Sequence, residues 1–179
     1  MKLVMFSPKD VVLERGWPGR LEGDRVVQLA AQTLQAFFSG GGQAREHAVY
    51  PLADVVFRAP VLHPPSVRIF DGDDFVFSNP AAIRSPGDRV PLPKGAAEIV
   101  AVERTAAIVD SDGRIAGFTP LAEWTAPALP GTKSRDFALV LGPVVTTPDE
   151  GVPATADWER MLEIAAANTT LHSGDLLVA

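Results

Sequence analysis

Proline and glycine break this chain along its whole length: 16 prolines and 15 glycines stand among 179 residues, against roughly 12% combined in an average domain. Proline has no N–H to give to a backbone ladder, and glycine adopts the backbone angles that close tight turns. Punctuation this dense leaves little room for long helices. It follows no period, which excludes a collagen-like repeat. The pattern predicts many short elements joined by turns, more β than α. Apolar residues make up 46% of the chain and charged residues 21%. That composition supports a buried core and excludes a disordered chain or a coiled coil.

The formal net charge is −6, from 22 acidic and 16 basic residues. Lys and Arg are scattered rather than clustered, so nucleic acid is excluded as a partner. The chain has no cysteine. That removes disulfides, thiolate zinc sites, iron–sulfur clusters and thiol nucleophiles, and it fits a cytoplasmic protein. The apolar run after Lys2 is too short for a signal-peptide core. No apolar stretch is long enough for a membrane span, so no membrane association is expected.

The alternation of apolar residues predicts a first strand at Met1 to Phe6, with Val11 to Leu13 and Arg25 to Val27 as further strands. Leu29 to Phe38 reads as a helix closed by Ser39 and Gly40 to Gly42, and Gln43 to Val49 allows a second. Pro51 to Pro65 reads as an extended connector. It divides a small N-terminal part, residues 1–58, from a larger part, residues 59–179. Val67 to Phe70 and Asp74 to Phe77 are short strands, and Val90 to Pro93 an edge strand. Glu98 to Val109 is the strongest strand. Asp110-Ser111-Asp112-Gly113 turns it into a return strand, Arg114 to Leu121. Ala138 to Val145 is an apolar run split by Gly142-Pro143. Trp158 to Ala167 has helical spacing with Asp157 or Thr155 as its cap.

Few residues carry chemistry. Glu103 interrupts an apolar strand. It either points to solvent or, if inward, needs a metal, an arginine or a water network to offset burial. Glu123 lies on the return strand of the same hairpin, where the two carboxylates could converge on one hard cation. Lys133, just after the Pro130-Gly131 turn, is placed to hold an oxyanion or a substrate carboxylate, or else is a solvated loop charge. His47, His63 and His172 have no metal-ligand spacing. Gly40-Gly41-Gly42 follows a helix instead of opening one, so it is no phosphate loop.

Read in order, several segments resemble the fumarylacetoacetate hydrolase family. Ala59-Pro60-Val61 and Pro65-Ser66-Val67-Arg68-Ile69 resemble the opening of its catalytic domain. Phe77-Ser78-Asn79-Pro80, Ser85-Pro86-Gly87-Asp88 and Leu92-Pro93 resemble its F-x-K-P, G-P-G-D and L-P segments. Ala101-Val102-Glu103 with the apolar run after it resembles E-x-E-L-A-V-V-I. Ile115-Ala116-Gly117-Phe118-Thr119 and Glu123-Trp124-Thr125-Ala126 resemble V-A-G-Y-T and D-V-T-A. Lys133-Ser134-Arg135-Asp136, then Leu141-Gly142-Pro143, resembles K-S-F-D and L-G-P. The tail from Asn168 to Leu177 resembles a P-G-D strand.

The resemblance implies an α+β, mainly β fold: a mixed β roll, residues 59–179, with a small N-terminal α/β subdomain, residues 1–58. It implies a homodimer that acts on a small 2-oxo or diketo acid by decarboxylation, tautomerisation or C–C cleavage. The cofactor implied is Mg²⁺ or Mn²⁺ on Glu103 and Glu123, with Lys133 and Asp136 as catalytic residues. The family's metal site is Glu-x-Glu plus a later Asp. Here Ala101 stands for the first Glu, Glu103 for the second and Glu123 for the Asp. Asn79 replaces the Lys of F-x-K-P, and the segment bearing the family's water-activating His is absent between Ile69 and Phe77. The chain also closes at Ala179, before the T-G-T-P loop. The resemblance so read implies a shortened, divergent member, or a non-catalytic relative that binds a small acid or a partner chain.

Overall fold

The computed structural model describes residues 1–179. Its elements in chain order are β1 (Lys2–Pro8), β2 (Trp17–Glu22), β3 (Arg25–Leu29), α1 (Leu34–Ser39), β4 (Glu46–Pro51), β5 (Val55–Arg58), β6 (Val67–Asp71), β7 (Asp74–Ser78), β8 (Ile83–Arg84), β9 (Val100–Val109), β10 (Ile115–Thr125), β11 (Leu139–Leu141), β12 (Val144–Thr146), α2 (Trp158–Ala166) and β13 (Leu176–Val178). All 13 strands join one sheet, whose main path runs β4-β3-β2-β1-β12-β10-β9-β13-β6-β7. β5 adds to β1, and β11 bridges β10 to β8. The β13–β6 and β11–β8 pairs are parallel, and the others are antiparallel. No helix is long and apolar enough to cross a membrane.

The sheet has two covered faces, which the alternation of each strand serves in turn. Leu3 and Met5 of β1, Ala106 and Ile108 of β9, and Leu176 and Val178 of β13 point to the inner face, where they pack with Leu34 and Phe37 of α1. Ala107 and Val109, Phe118 and Leu177 point to the outer face, under Trp158, Met161 and Ala165 of α2. Strands buried on both faces read as continuous apolar runs. That is why Ala106 to Val109 and Leu176 to Val178 show no polar interruption. α1 starts where the Thr33 hydroxyl accepts the Ala36 N–H at 3.0 Å. α2 starts where the Asp157 carboxylate accepts the Arg160 N–H at 3.0 Å.

Several elements differ from the sequence expectations. Leu29 closes β3, and the helix runs only Leu34–Ser39, because its first residues are taken by the ladder to β4. Gln43 to Val49 forms no helix. Glu46–Pro51 pairs with β3 instead, since Tyr50 and Val49 find cross-strand partners in Val26 and Val27. Val11 to Leu13 and Val90 to Pro93 form no strand. Within Pro51 to Pro65 lies β5, which pairs with β1. β1 also pairs with β12, so one ladder runs from the N-terminal residues into the C-terminal half. The segments expected to act as motifs serve the fold. Ser85 gives its N–H to the Asp88 carboxylate at 2.9 Å, and its hydroxyl accepts the Ala59 N–H at 3.0 Å. Asp175 accepts from the Ser66 hydroxyl at 2.6 Å and the His172 N–H at 2.7 Å.

The β9–β10 hairpin carries one irregularity that fixes everything beyond it. Ile115 opposes Val109, but Gly117 opposes Ile108, so Ala116 is an extra residue and the register shifts by one. From there the ladder is regular to Thr125↔Val100. Gly117 has no room for a side chain: a Cβ there would stand 2.5 Å from Val145 Cγ1 and 3.0 Å from the Thr146 carbonyl oxygen. Gly117→Ala is expected to lower stability by about 1–3 kcal/mol through overpacking, read as a shift in the urea midpoint. Adding Val145→Ala is expected to recover part of that loss in a double-mutant cycle. A neutral Gly117→Ala would contradict the close packing at the bulge.

Candidate active site and its arginine pair

Beyond the bulge, residues directly opposite one another share a face. Glu123 opposes Val102, Leu121 opposes Arg104 and Ala122 opposes Glu103. Leu121 and Ala106 belong to the inner-face core. Val102, Arg104 and Glu123 therefore share that inner face, while Glu103 leaves the sheet on the opposite one. Without the extra residue Ala116, Glu123 would oppose Ala101 and share a face with Glu103. The bulge thus separates the two carboxylates expected to meet.

Glu123 is fully buried. Its charge is offset by two arginines. Arg104 donates from Nε to Oε2 at 3.1 Å, and its Nη2 lies 3.1 Å from the same oxygen. Arg135 donates from Nε to Oε1 at 2.8 Å and also from Nη2. Each carboxylate oxygen thus accepts a charge-assisted pair, the geometry that makes burial of a carboxylate tolerable. Glu123 engages Nε and Nη2 of both guanidinium groups and leaves Nη1 of each for another partner.

Arg135 reaches Glu123 because the segment before it is tightly folded. Residues Gly131–Ser134 form a 3-10 turn, the Ser134 hydroxyl donates to the Gly131 carbonyl at 2.7 Å, and the Ala126 N–H donates to the Ser134 carbonyl at 2.6 Å. Lys133 and Asp136, expected to be catalytic, pair with each other at 2.6 Å. The Lys133 side chain is 76% exposed. Asn79 donates to the Asp136 carbonyl at 3.0 Å, which ties this segment to the turn after β7. Glu103 is exposed.

A cleft of about 490 Å³ opens beside the arginines. It is lined by Arg104 and Arg135 on one side, and by Ile69, Asp71, Asp74 and Val76 of the β6–β7 hairpin on the other. The register explains the meeting. Val178 of β13 stands between Ala106 of β9 and Ile69 of β6. One step along the same face, Arg104 and Asp71 share a level two strand spacings apart, roughly 10 Å.

A divalent metal does not fit these side chains. Hard cations need several oxygen ligands, and no group of three or more His, Asp or Glu residues clusters anywhere in the fold. Of the three neighbouring inner-face positions Val102, Arg104 and Glu123, only Glu123 carries a carboxylate. Both Glu123 oxygens already accept from guanidinium groups.

The arginine pair was not legible as a site in the sequence. Arg104 sits in an apolar run and Arg135 in a polar turn. Only counting the ladder outward from the Asp110 to Gly113 turn, with the bulge included, puts Arg104 on the face of Glu123. Glu123→Gln is expected to cost about 2 kcal/mol or more, because it leaves two facing guanidinium groups without their shared anion. The partial exposure of both arginines keeps the loss below that of a fully buried pair. Arg104→Met is expected to cost less, since Glu123 keeps Arg135. Chemical denaturation checks both, and equal losses would contradict the shared-anion account.

No protein-family model matches the sequence, and no curated protein matches it by sequence. Solved structures do match. Maleylpyruvate hydrolase from Sphingobium sp. SYK-6 is 20% identical with a TM-score of 0.77, covering 99% of this chain and 87% of that one. The same enzyme is also known in complex with manganese(II) and pyruvate. 5-Carboxymethyl-2-hydroxymuconate delta-isomerase from Mycobacterium smegmatis is 18% identical, with a TM-score of 0.77 and coverage of 99% and 87%. A 2-keto-3-deoxy-D-arabinonate dehydratase complexed with magnesium and 2,5-dioxopentanoate is 14% identical, with a TM-score of 0.77 and coverage of 99% and 86%. At these identities the likeness is one of fold, and it agrees with the mixed, mainly β architecture that the motifs predict: the chain has the fumarylacetoacetate hydrolase-like fold.

Proposed function

We propose that the protein is a small-acid-binding relative of these enzymes, taking the carboxylate of a 2-oxo or related acid in the cleft beside Arg104 and Arg135. The observation that carries this reading is the state of the two guanidinium groups. Glu123 holds both rigidly, Nη1 of each has no hydrogen-bond or ion-pair partner, and both residues line the cleft. Two guanidinium groups pre-set in this way can each donate an N–H to an acid's carboxylate at little further cost in side-chain order. Ile69 and Val76 supply apolar surface for the rest of a small molecule, and Asp71 and Asp74 beside them repel an anion, which confines the acid's carboxylate to the arginine side of the cleft. The cleft volume lies in the range of small-ligand sites. The similar enzymes solved with pyruvate and with 2,5-dioxopentanoate give the ligand class.

The alternative is a metal-dependent lyase or hydrolase acting through Glu103 and Glu123. It would need facing carboxylates that the bulged register does not bring together. Lys133 is paired to Asp136, largely exposed and not part of the cleft lining, so the reading gives it no role.

Calorimetric titration with pyruvate and with oxalate, in EDTA, tests the reading. Saturable binding is expected, weakened about tenfold or more by Arg104→Ala and by Arg135→Ala, each of which removes one charge-assisted contact. Absence of binding to either acid at millimolar concentration would overturn it. So would turnover of oxaloacetate that depends on added Mn²⁺ and vanishes in Glu103→Ala.

A further inference from the structure

We infer that Arg104 takes the place of a divalent cation in this site, so that a charge the similar enzymes were solved with as manganese or magnesium is here built into the chain. This deepens the small-acid reading, and rests on it only where oxalate binding is measured.

The geometry is that of a cation seat with its ligands exchanged. Val102 directly opposes Glu123, and Arg104 stands two residues along the same strand on the same face. Three such positions lie within roughly 5–7 Å of one another on a sheet. Oxygen-bearing side chains at that spacing can reach one hard cation. In this chain only Glu123 carries oxygen. Val102 offers no donor atom and is itself partly exposed. Arg104 directs its Nε and Nη2 groups at the Glu123 carboxylate, where a cation would otherwise be held. Arg135 occupies the other oxygen from the side of the Gly131–Ser134 turn. The positive charge next to Glu123 is kept, while the means of coordinating an ion is lost.

Two properties follow from the exchange. A guanidinium neither dissociates nor deprotonates in a protein, so the charge of the site is independent of metal supply and of chelators. It also offers directed N–H donors instead of open coordination positions, so an acid is held by hydrogen bonds in one plane. Arg104 supplies the fixed cation, and Val102 beside it withholds a ligand that a removable cation would need.

Electron paramagnetic resonance of free Mn²⁺ reads this directly, with circular dichroism confirming that each variant is folded. The wild-type protein at millimolar concentration is expected to leave the Mn²⁺ signal unchanged. Val102→Glu/Arg104→Glu is expected to quench it, and Glu123→Gln in that background to release the ion. Arg104→Glu alone, which makes two facing carboxylates, is expected to bind more weakly. In calorimetry, the wild-type affinity for oxalate is expected to move by less than about twofold between EDTA and Mn²⁺. In the double variant it is expected to fall about tenfold or more in EDTA and to return with Mn²⁺.

Saturable Mn²⁺ uptake by the wild-type protein, abolished by Glu123→Gln, would overturn the inference. So would folded single and double variants that both take up no ion. If both variants are unfolded, the wild-type titration alone decides, with silence supporting the inference and uptake overturning it. Mn²⁺ uptake by the double variant, with no oxalate bound by the wild type under either condition, would remove the small-acid reading and leave the replacement by Arg104 standing.

Discussion

One extra residue in the β9–β10 hairpin sets the chemistry of this protein. Ala116 has no partner across the ladder, and every pair beyond it is displaced by one. A side chain's face alternates with each residue, so a displacement of one turns a whole strand over relative to its neighbour. The displacement brings Arg104 to the face of Glu123 and sends Glu103 to the other. At the bulge Gly117 lets Val145 and the Thr146 backbone pack directly against the strand. A shift of one residue in the ladder thus determines which charges meet at a site several residues away.

The site follows from the electrostatics of burial. Glu123 lies in the sheet with no exposure, and a carboxylate in that position needs charge-assisted partners on both oxygens. Arg104 and Arg135 provide them from a strand and from a turn. The same contacts immobilise both guanidinium groups in the wall of the cleft, so the burial of Glu123 is tied to the fixing of two cations there. Elsewhere, buried charge is handled alike. Arg68 lies beside Asp175 at 3.6 Å and over the rings of Phe75 and Phe77. It carries structural weight there and has no place in the cleft.

Much of the architecture was legible in the residues. The Asp110-Ser111-Asp112-Gly113 turn, the two long strands around it, the Trp158 helix and the β6–β7 hairpin all appear where alternation and turn chemistry place them. The helix read over Leu29 to Phe38 is shorter, and the segment before Val49 is a strand. In both places cross-strand pairing of Val26 and Val27 with Tyr50 and Val49 outweighed local preference. Glu103, Glu123, Lys133 and Asp136 stand out in the sequence as polar site candidates, and of these Glu123 is the one the fold buries. Arg104 and Arg135 do not, because nothing in their local sequence distinguishes a charge that faces the core from one that faces water.

The sequence by itself determined the mainly β class, the turns, the absence of any thiol chemistry and the order of segments that resembles the fumarylacetoacetate hydrolase family. These are consequences of residue type and spacing, and each can be read within a short window. Tertiary structure alone decided which carboxylate is buried, which cation faces it, and that Glu103 and Glu123 stay apart. Those outcomes depend on register, and register depends on a bulge that packs against Val145 and Thr146, remote in sequence and adjacent only once the sheet has formed.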